Sequence, residues 1–153
     1  MTLYMWVKLV HIVSATVLFG TGMGIAYFML KAYRSDNQAA IVETSKHVVI
    51  ADWLFTAPAV IVQLVSGVWL TWKLGIAFDS SWFLAVMGLY IFVGACWIPV
   101  VWIQIRIRDL VQAGAGRDEY KSMMKIWVVL GALAFSSVLV LIFLMVAKYG
   151  AYD

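Results

Sequence analysis

Four long apolar runs leave this chain few ways to fold. Residues 9–30, 48–72, 82–105 and 126–147 are almost wholly apolar. A helix needs about 20 such residues to cross a hydrocarbon core ~30 Å thick. No water is available there, so every backbone N–H and C=O must be satisfied by the protein, which restricts spanning structures to helices and closed barrels. A barrel would show many alternating segments of about 10 residues, and none is visible. The expected fold is all-α: an integral membrane four-helix bundle with antiparallel, up-down connections. It forms one domain over residues 1–153, with spans near 5–30, 48–72, 82–105 and 126–148. Composition agrees, because only 12% of residues are charged and 65% are hydrophobic. Soluble domains carry about 25% charged residues, and half that leaves too little polar side chain to cover a surface in water.

Charge supplies an orientation. Lys31, Arg34 and Lys46 lie between spans one and two, and Arg106, Arg108, Arg117, Lys121 and Lys125 between spans three and four. Only Lys8, Lys73 and Lys148 belong to the other side. The positive-inside rule places the eight in the cytoplasm and both termini in the periplasm of a bacterial inner membrane. The net charge of +3 therefore reports topology. It is not a nucleic-acid footprint, and the expected partners are the lipid bilayer and a second copy or a larger membrane complex. Trp6, Trp53, Trp72, Trp82 and Trp127 fall near span ends, where indole rings favour the membrane interface.

The first span is too long for the apolar core of a secretory signal and has no cleavage site before a polar mature chain. Cys96, the single cysteine, lies within span three and is expected to be buried and inert. Gly20, Gly22 and Gly24 do not form a nucleotide loop, because no strand or turn precedes them and the spacing is GxGxG. In an apolar helix Gly20 and Gly24 form a small-xxx-small pair suited to close helix packing. Pro58 and Pro99 should kink or unwind spans two and three. "RSDNQAAIVETSK" and "DLVQAGAGRDEYKS" read as short surface helices or turns, and "FDSS" as a cap for span three.

Polar side chains inside a membrane are costly, so each one needs a reason. Lys8 is near enough to the interface to snorkel. Asp52 is level with Arg106 of span three, which predicts an ion pair with Arg106 or Arg108. His47 faces water, and Gln104 bonds at the interface. His11 is about two turns inside span one. It is level with Gln63, Ser66 and Gly67 of span two and with Met87, Gly88 and Tyr90 of span three. One reading is a structural histidine bonded to Gln63 or Tyr90. Another is an axial ligand of haem iron, the usual work of imidazole in such proteins. The pocket would then use Gly67 and Gly88 to admit a flat macrocycle, Tyr90 or Gln63 to orient it, and Met87 as the best-placed second ligand. His47 is not that ligand, because helix rise separates it from His11 by on the order of 25 Å.

"LYMWVKLVHIVSATVLFGTGMGIAYFMLKAYR", "ADWLFTAPAVIVQLVSGVWL" and "GACWIPVVWIQIRIRDL" resemble a family of bacterial integral membrane proteins of unknown function. The aromatic-Lys-x-x-His start of span one also resembles HemJ-type protoporphyrinogen oxidases and, more loosely, CopD copper-resistance proteins. The HemJ resemblance implies b-type haem at the histidine matching His11. That family carries a second histidine in span three, where this chain has none.

Two functional expectations follow, and neither assigns a reaction. One is a small b-type haem-binding or redox protein with His11 as axial ligand. The other is a non-enzymatic scaffold or accessory subunit of a larger membrane complex. A transporter or channel is disfavoured, because four spans without inverted halves or a polar helix stripe would need to oligomerise to form a pore. Reporter fusions placed after Arg34 and after Lys121 are expected to report cytoplasm, and a periplasmic signal from either would refute the orientation.

Overall fold

A computed structural model describes residues 2–148, which contain helices and short links and no strand. Helix α1 spans Leu3–Arg34, α2 Gln38–Ala51, α3 Ala57–Lys73, α4 Ser81–Gln112 and α5 Arg117–Ala147. A π turn, Asp52–Thr56, joins α2 to α3, so Gln38–Lys73 is one continuous rod of 36 residues. Four helices are thus long and apolar enough to cross a membrane. At about 1.5 Å per residue each is longer than a ~30 Å hydrocarbon core, so helix ends project beyond it or the helices tilt.

The links are shorter than the sequence suggests, because helices absorb them. Between α1 and α2 only residues 35–37 are non-helical, and Asn37 Oδ1 caps α2 by accepting from the Ala40 N–H at 3.2 Å. Ser80 Oγ caps α4 through the Phe83 N–H at 3.3 Å, as "FDSS" predicts. Glu119 Oε1 reaches back to the Gly116 N–H at 2.8 Å and closes the start of α5. Each cap satisfies an otherwise orphaned donor, which lets a helix begin within a few residues of the previous one.

Pro58 accounts for the π turn. A proline inside an α-helix removes one N–H and drives its ring into the carbonyl four residues back, here that of Leu54. Widening the preceding turn relieves the clash, and the Ala57 N–H bonds the Asp52 carbonyl five residues back. Pro99 has a different outcome, since α4 continues as α-helix across it.

The core is concentrated at the end bearing the eight basic residues, called the basic end below. Ile25 and Met29 of α1, Ile41 and Val48 of α2, Ile103 and Ile107 of α4, and Tyr120 and Met124 of α5 form one buried cluster there. The two links at this end are also tied together. Arg117 bonds Asp36 Oδ1 and lies over the Tyr33 ring, 4.3 Å from its centroid, and Gln38 Nε2 donates to the Ala115 carbonyl at 3.2 Å. Contact with Tyr33 and then Asp36 pushes the Arg117 pKa up, and burial pushes that of the Tyr120 hydroxyl up.

Toward the far end the bundle divides. α3 packs on α1, and α4 packs on α5. Between α3 and α4 one hydrogen bond is found among the described residues, from Tyr90 Oη to the Val60 carbonyl at 2.7 Å. A Cβ at Gly20 or Gly24 would meet nothing within 4 Å, and Gly24 lines an open groove between α1 and α2 with Thr44, His47 and Val48. Trp82 and Trp127 are buried rather than interfacial, whereas Trp6, Trp53 and Trp72 are exposed.

The Trp82 Nε1–H donates to the Leu144 carbonyl at 2.8 Å and fastens α4 to α5 at the far end. Trp82→Phe is expected to lower stability by about 1 kcal/mol, the usual net value of one such bond. Thermal unfolding in detergent measures it. An unchanged midpoint would mean that the Lys148 N–H, which also reaches this carbonyl at 2.9 Å, is sufficient alone.

Candidate functional site

Span two carries a row of polar side chains on the side that faces the bundle interior. Asp52, Thr56, Gln63 and Ser66 follow one another at steps of four, seven and three residues, with Ala59 between. Asp52, Thr56, Ala59 and Ser66 are buried and Gln63 is half-buried. A polar stripe does therefore exist, against the sequence expectation. The sequence signal was this near-3.5-residue spacing, hidden because Ala59 interrupts it and the π turn shifts its phase.

The stripe divides into two clusters. The first joins α1 to α3 around His11. Its Nδ1 is 2.8 Å from Ser66 Oγ and its Nε2 is 3.0 Å from Gln63 Nε2. An amide nitrogen only donates, so His11 Nε2 accepts and Nδ1–H donates to Ser66, whose hydroxyl donates in turn to the Val62 carbonyl. Ser14 Oγ, one turn along α1 from His11, donates toward Gln63 Oε1 and toward the His11 carbonyl. A neutral imidazole has one donor and one acceptor, and both are engaged. Gly67 is where the ring fits: a Cβ there would stand 3.1 Å from His11 Cε1, closer than ordinary contact. Sequence reasoning placed Gln63, Ser66 and Gly67 level with His11 and missed Ser14, whose small hydroxyl gives no signal of its own in an apolar run.

Of the six residues expected to build a haem pocket, the structure brings together His11, Gln63 and Gly67. Met87, Gly88 and Tyr90 are on α4, which packs against α2 and α5. The Tyr90 hydroxyl is bonded to Val60, and Gly88 has nothing within 4 Å of a Cβ position. The glycine meant to admit a macrocycle instead admits the imidazole. As they stand these side chains do not enclose a haem, and iron on Nε2 would require Gln63 to swing away.

The second cluster joins the π turn to α4, nearer the basic end. Trp97 Nε1–H donates to Asp52 Oδ1 at 3.3 Å, and Thr56 and Gln104 also face the carboxyl. The expected ion pair is not formed. Arg106 is exposed, and Arg108 binds its neighbour Asp109 at 2.7 Å. Similar depth along two helices did not place both side chains on facing sides. Gln104 is 1% exposed rather than interfacial. His47 is exposed as expected, with Nε2 3.2 Å from Glu43 Oε1.

Removing either partner of the His11 ring leaves one buried nitrogen unsatisfied. Gln63→Leu and Ser66→Ala are each expected to destabilise the protein by about 1–3 kcal/mol, read as a lower unfolding midpoint in detergent. Wild-type midpoints in both would show that the cluster does not hold α1 to α3.

A family described as "Predicted integral membrane protein (DUF2269)" matches residues 5–149, and the description names no reaction or cofactor. No match was found among curated proteins or among solved structures.

Proposed function

Because this chain belongs to the DUF2269 family of predicted integral membrane proteins, we propose that it is a scaffold or accessory subunit rather than an enzyme. In this reading it is a multi-pass protein of the bacterial cytoplasmic membrane. The eight-to-three distribution of basic residues puts the basic end in the cytoplasm and both termini outside. The observation that carries the reading is the saturation of His11, both of whose ring nitrogens are bonded to Gln63 and Ser66 across two helices. An imidazole used in this way clamps α1 to α3. The partner is a second copy or another membrane subunit, and the open sides of Gly20 and Gly24 allow a foreign helix to approach closely.

A b-type haem on His11 is the competing proposal, and one observation favours it. Ligating histidines donate their other ring nitrogen to a fixed acceptor, as His11 Nδ1 does to Ser66.

Absorption spectra of protein from haem-replete cells, together with unfolding midpoints, separate the two for wild type, His11→Ala and His47→Ala. The scaffold reading expects no Soret band in any of them. It also expects His11→Ala to lower stability by about 1–3 kcal/mol, with His47→Ala close to wild type. A Soret band that His11→Ala abolishes and His47→Ala retains would replace it with the haem reading.

A further inference from the structure

The carboxyl of Asp52 differs from every other in the described residues. Asp36, Glu43, Asp79, Asp109, Asp118 and Glu119 are all exposed, whereas Asp52 is 4% exposed and opens the π turn of span two. Beside it Thr56 is 7% and Gln104 1% exposed. Asp52 Oδ2, Thr56 Oγ1 and Gln104 Oε1 are all buried without a hydrogen-bond partner. Three orphaned oxygens on side chains gathered around one carboxyl mark a place where something that donates is missing.

We propose that Asp52 is a reversible proton-binding site within the membrane, carrying the proton on Oδ2 and donating it to the oxygens that face it. Binding takes one proton from water and makes one O–H bond; no electron moves and no other covalent bond changes.

The hydrogen-bond inventory favours this occupant. The Gln104 amide has two N–H donors and the Thr56 hydroxyl one, yet neither is bonded to Oδ2, and Oδ2 and Gln104 Oε1 are both buried acceptors without a donor. A proton turns Oδ2 from an orphaned acceptor into a donor for one of the other two orphaned oxygens. Charge leads to the same place, since a buried carboxylate without a counter-ion is expensive. No cation supplies that role from any packed element. On α4 Arg106 is exposed and Arg108 binds Asp109; on α2 Lys46 and His47 both bind Glu43; on α1 Lys8, Lys31 and Arg34 are exposed. The Trp97 N–H on Oδ1 is a neutral donor. Calcium takes 6–8 oxygens and magnesium a near-octahedral shell, against the three orphaned side-chain oxygens here.

The position gives the proton a consequence. Ionisation would leave Oδ2 charged and without a donor at the one π turn among the described helices. Relief requires Gln104 to turn or the π turn to shift, and a shift rotates α3. Protonation of Asp52 is thereby coupled to the helix that carries Gln63 and Ser66.

Infrared difference spectra of the full chain in lipid nanodiscs test this against Asp52→Asn. At neutral pH the wild type should show a carboxylic-acid C=O band that shifts in D2O, is absent from Asp52→Asn and disappears reversibly on alkaline titration. Gln104→Leu retains the acid but removes an acceptor, so it should move the band toward that of an unbonded acid even if the Asn variant does not fold. Absence of the band in folded wild type at neutral pH overturns the proposal, as does a band unmoved by Gln104→Leu. Loss of the band in sodium chloride but not in choline chloride at fixed pH would also overturn it and assign the site to sodium.

Discussion

A polar group inside hydrocarbon must find its partner within the protein, and most of the interior arrangement here answers that requirement on span two. Backbone groups are satisfied by the helices themselves, so side chains make the demands. Gln63 and Ser66 meet theirs at His11, with Ser14 completing the set. The result fixes both the rotation of α1 against α3 and the distance between them, because the imidazole edge stands 3.1 Å from where a Cβ of residue 67 would be. A Cβ at Gly67 would require the imidazole to give way by a few tenths of an ångström. Asp52 meets its demand only in part, through Trp97.

Pro58 decides which side of span two presents these groups. The turn before it widens to avoid the missing N–H and the ring clash, and the extra backbone length shifts the phase of everything downstream. A strictly α-helical rod would turn Gln63 and Ser66 about 100° relative to α2, the angle of one residue. The basic-end core and the His11 clamp can therefore both be packed by one continuous helix only because the π turn lies between them.

Packing is uneven along the bundle. At the basic end α1, α2, α4 and α5 share one core and the links are tied by Arg117, Asp36 and Tyr33. Away from the basic end, pairs α1–α3 and α4–α5 are each internally fastened, by His11 and by Trp82 respectively, and join through Tyr90 and the Phe19–Phe135 ring stack. Local openings in such a structure are drawn from the less densely packed part. The His11 cluster borders that part, whereas the Asp52 cluster lies beside the core, where a shift of the π turn would be felt by α1 and α2 as well as α3.

Sequence alone determined that this is a helical membrane protein with four spans, because hydropathy is local and adds up along the chain whatever the helices pack against. The Ser80 cap and a disturbance at Pro58 were legible for the same reason, since each depends on a few adjacent residues. Tertiary structure decided the pairings. Depth along a helix can be counted, but rotation about its axis cannot be read through a π turn. His11 thus meets Gln63 and Ser66 while Tyr90, counted to the same layer, bonds Val60 instead. Asp52 and Arg106, counted to the same depth, face apart, and Asp52 meets Trp97 and Gln104. Gly20 and Gly24 show the same limit: small residues permit close approach, but only the arrangement of the other helices determines whether anything approaches.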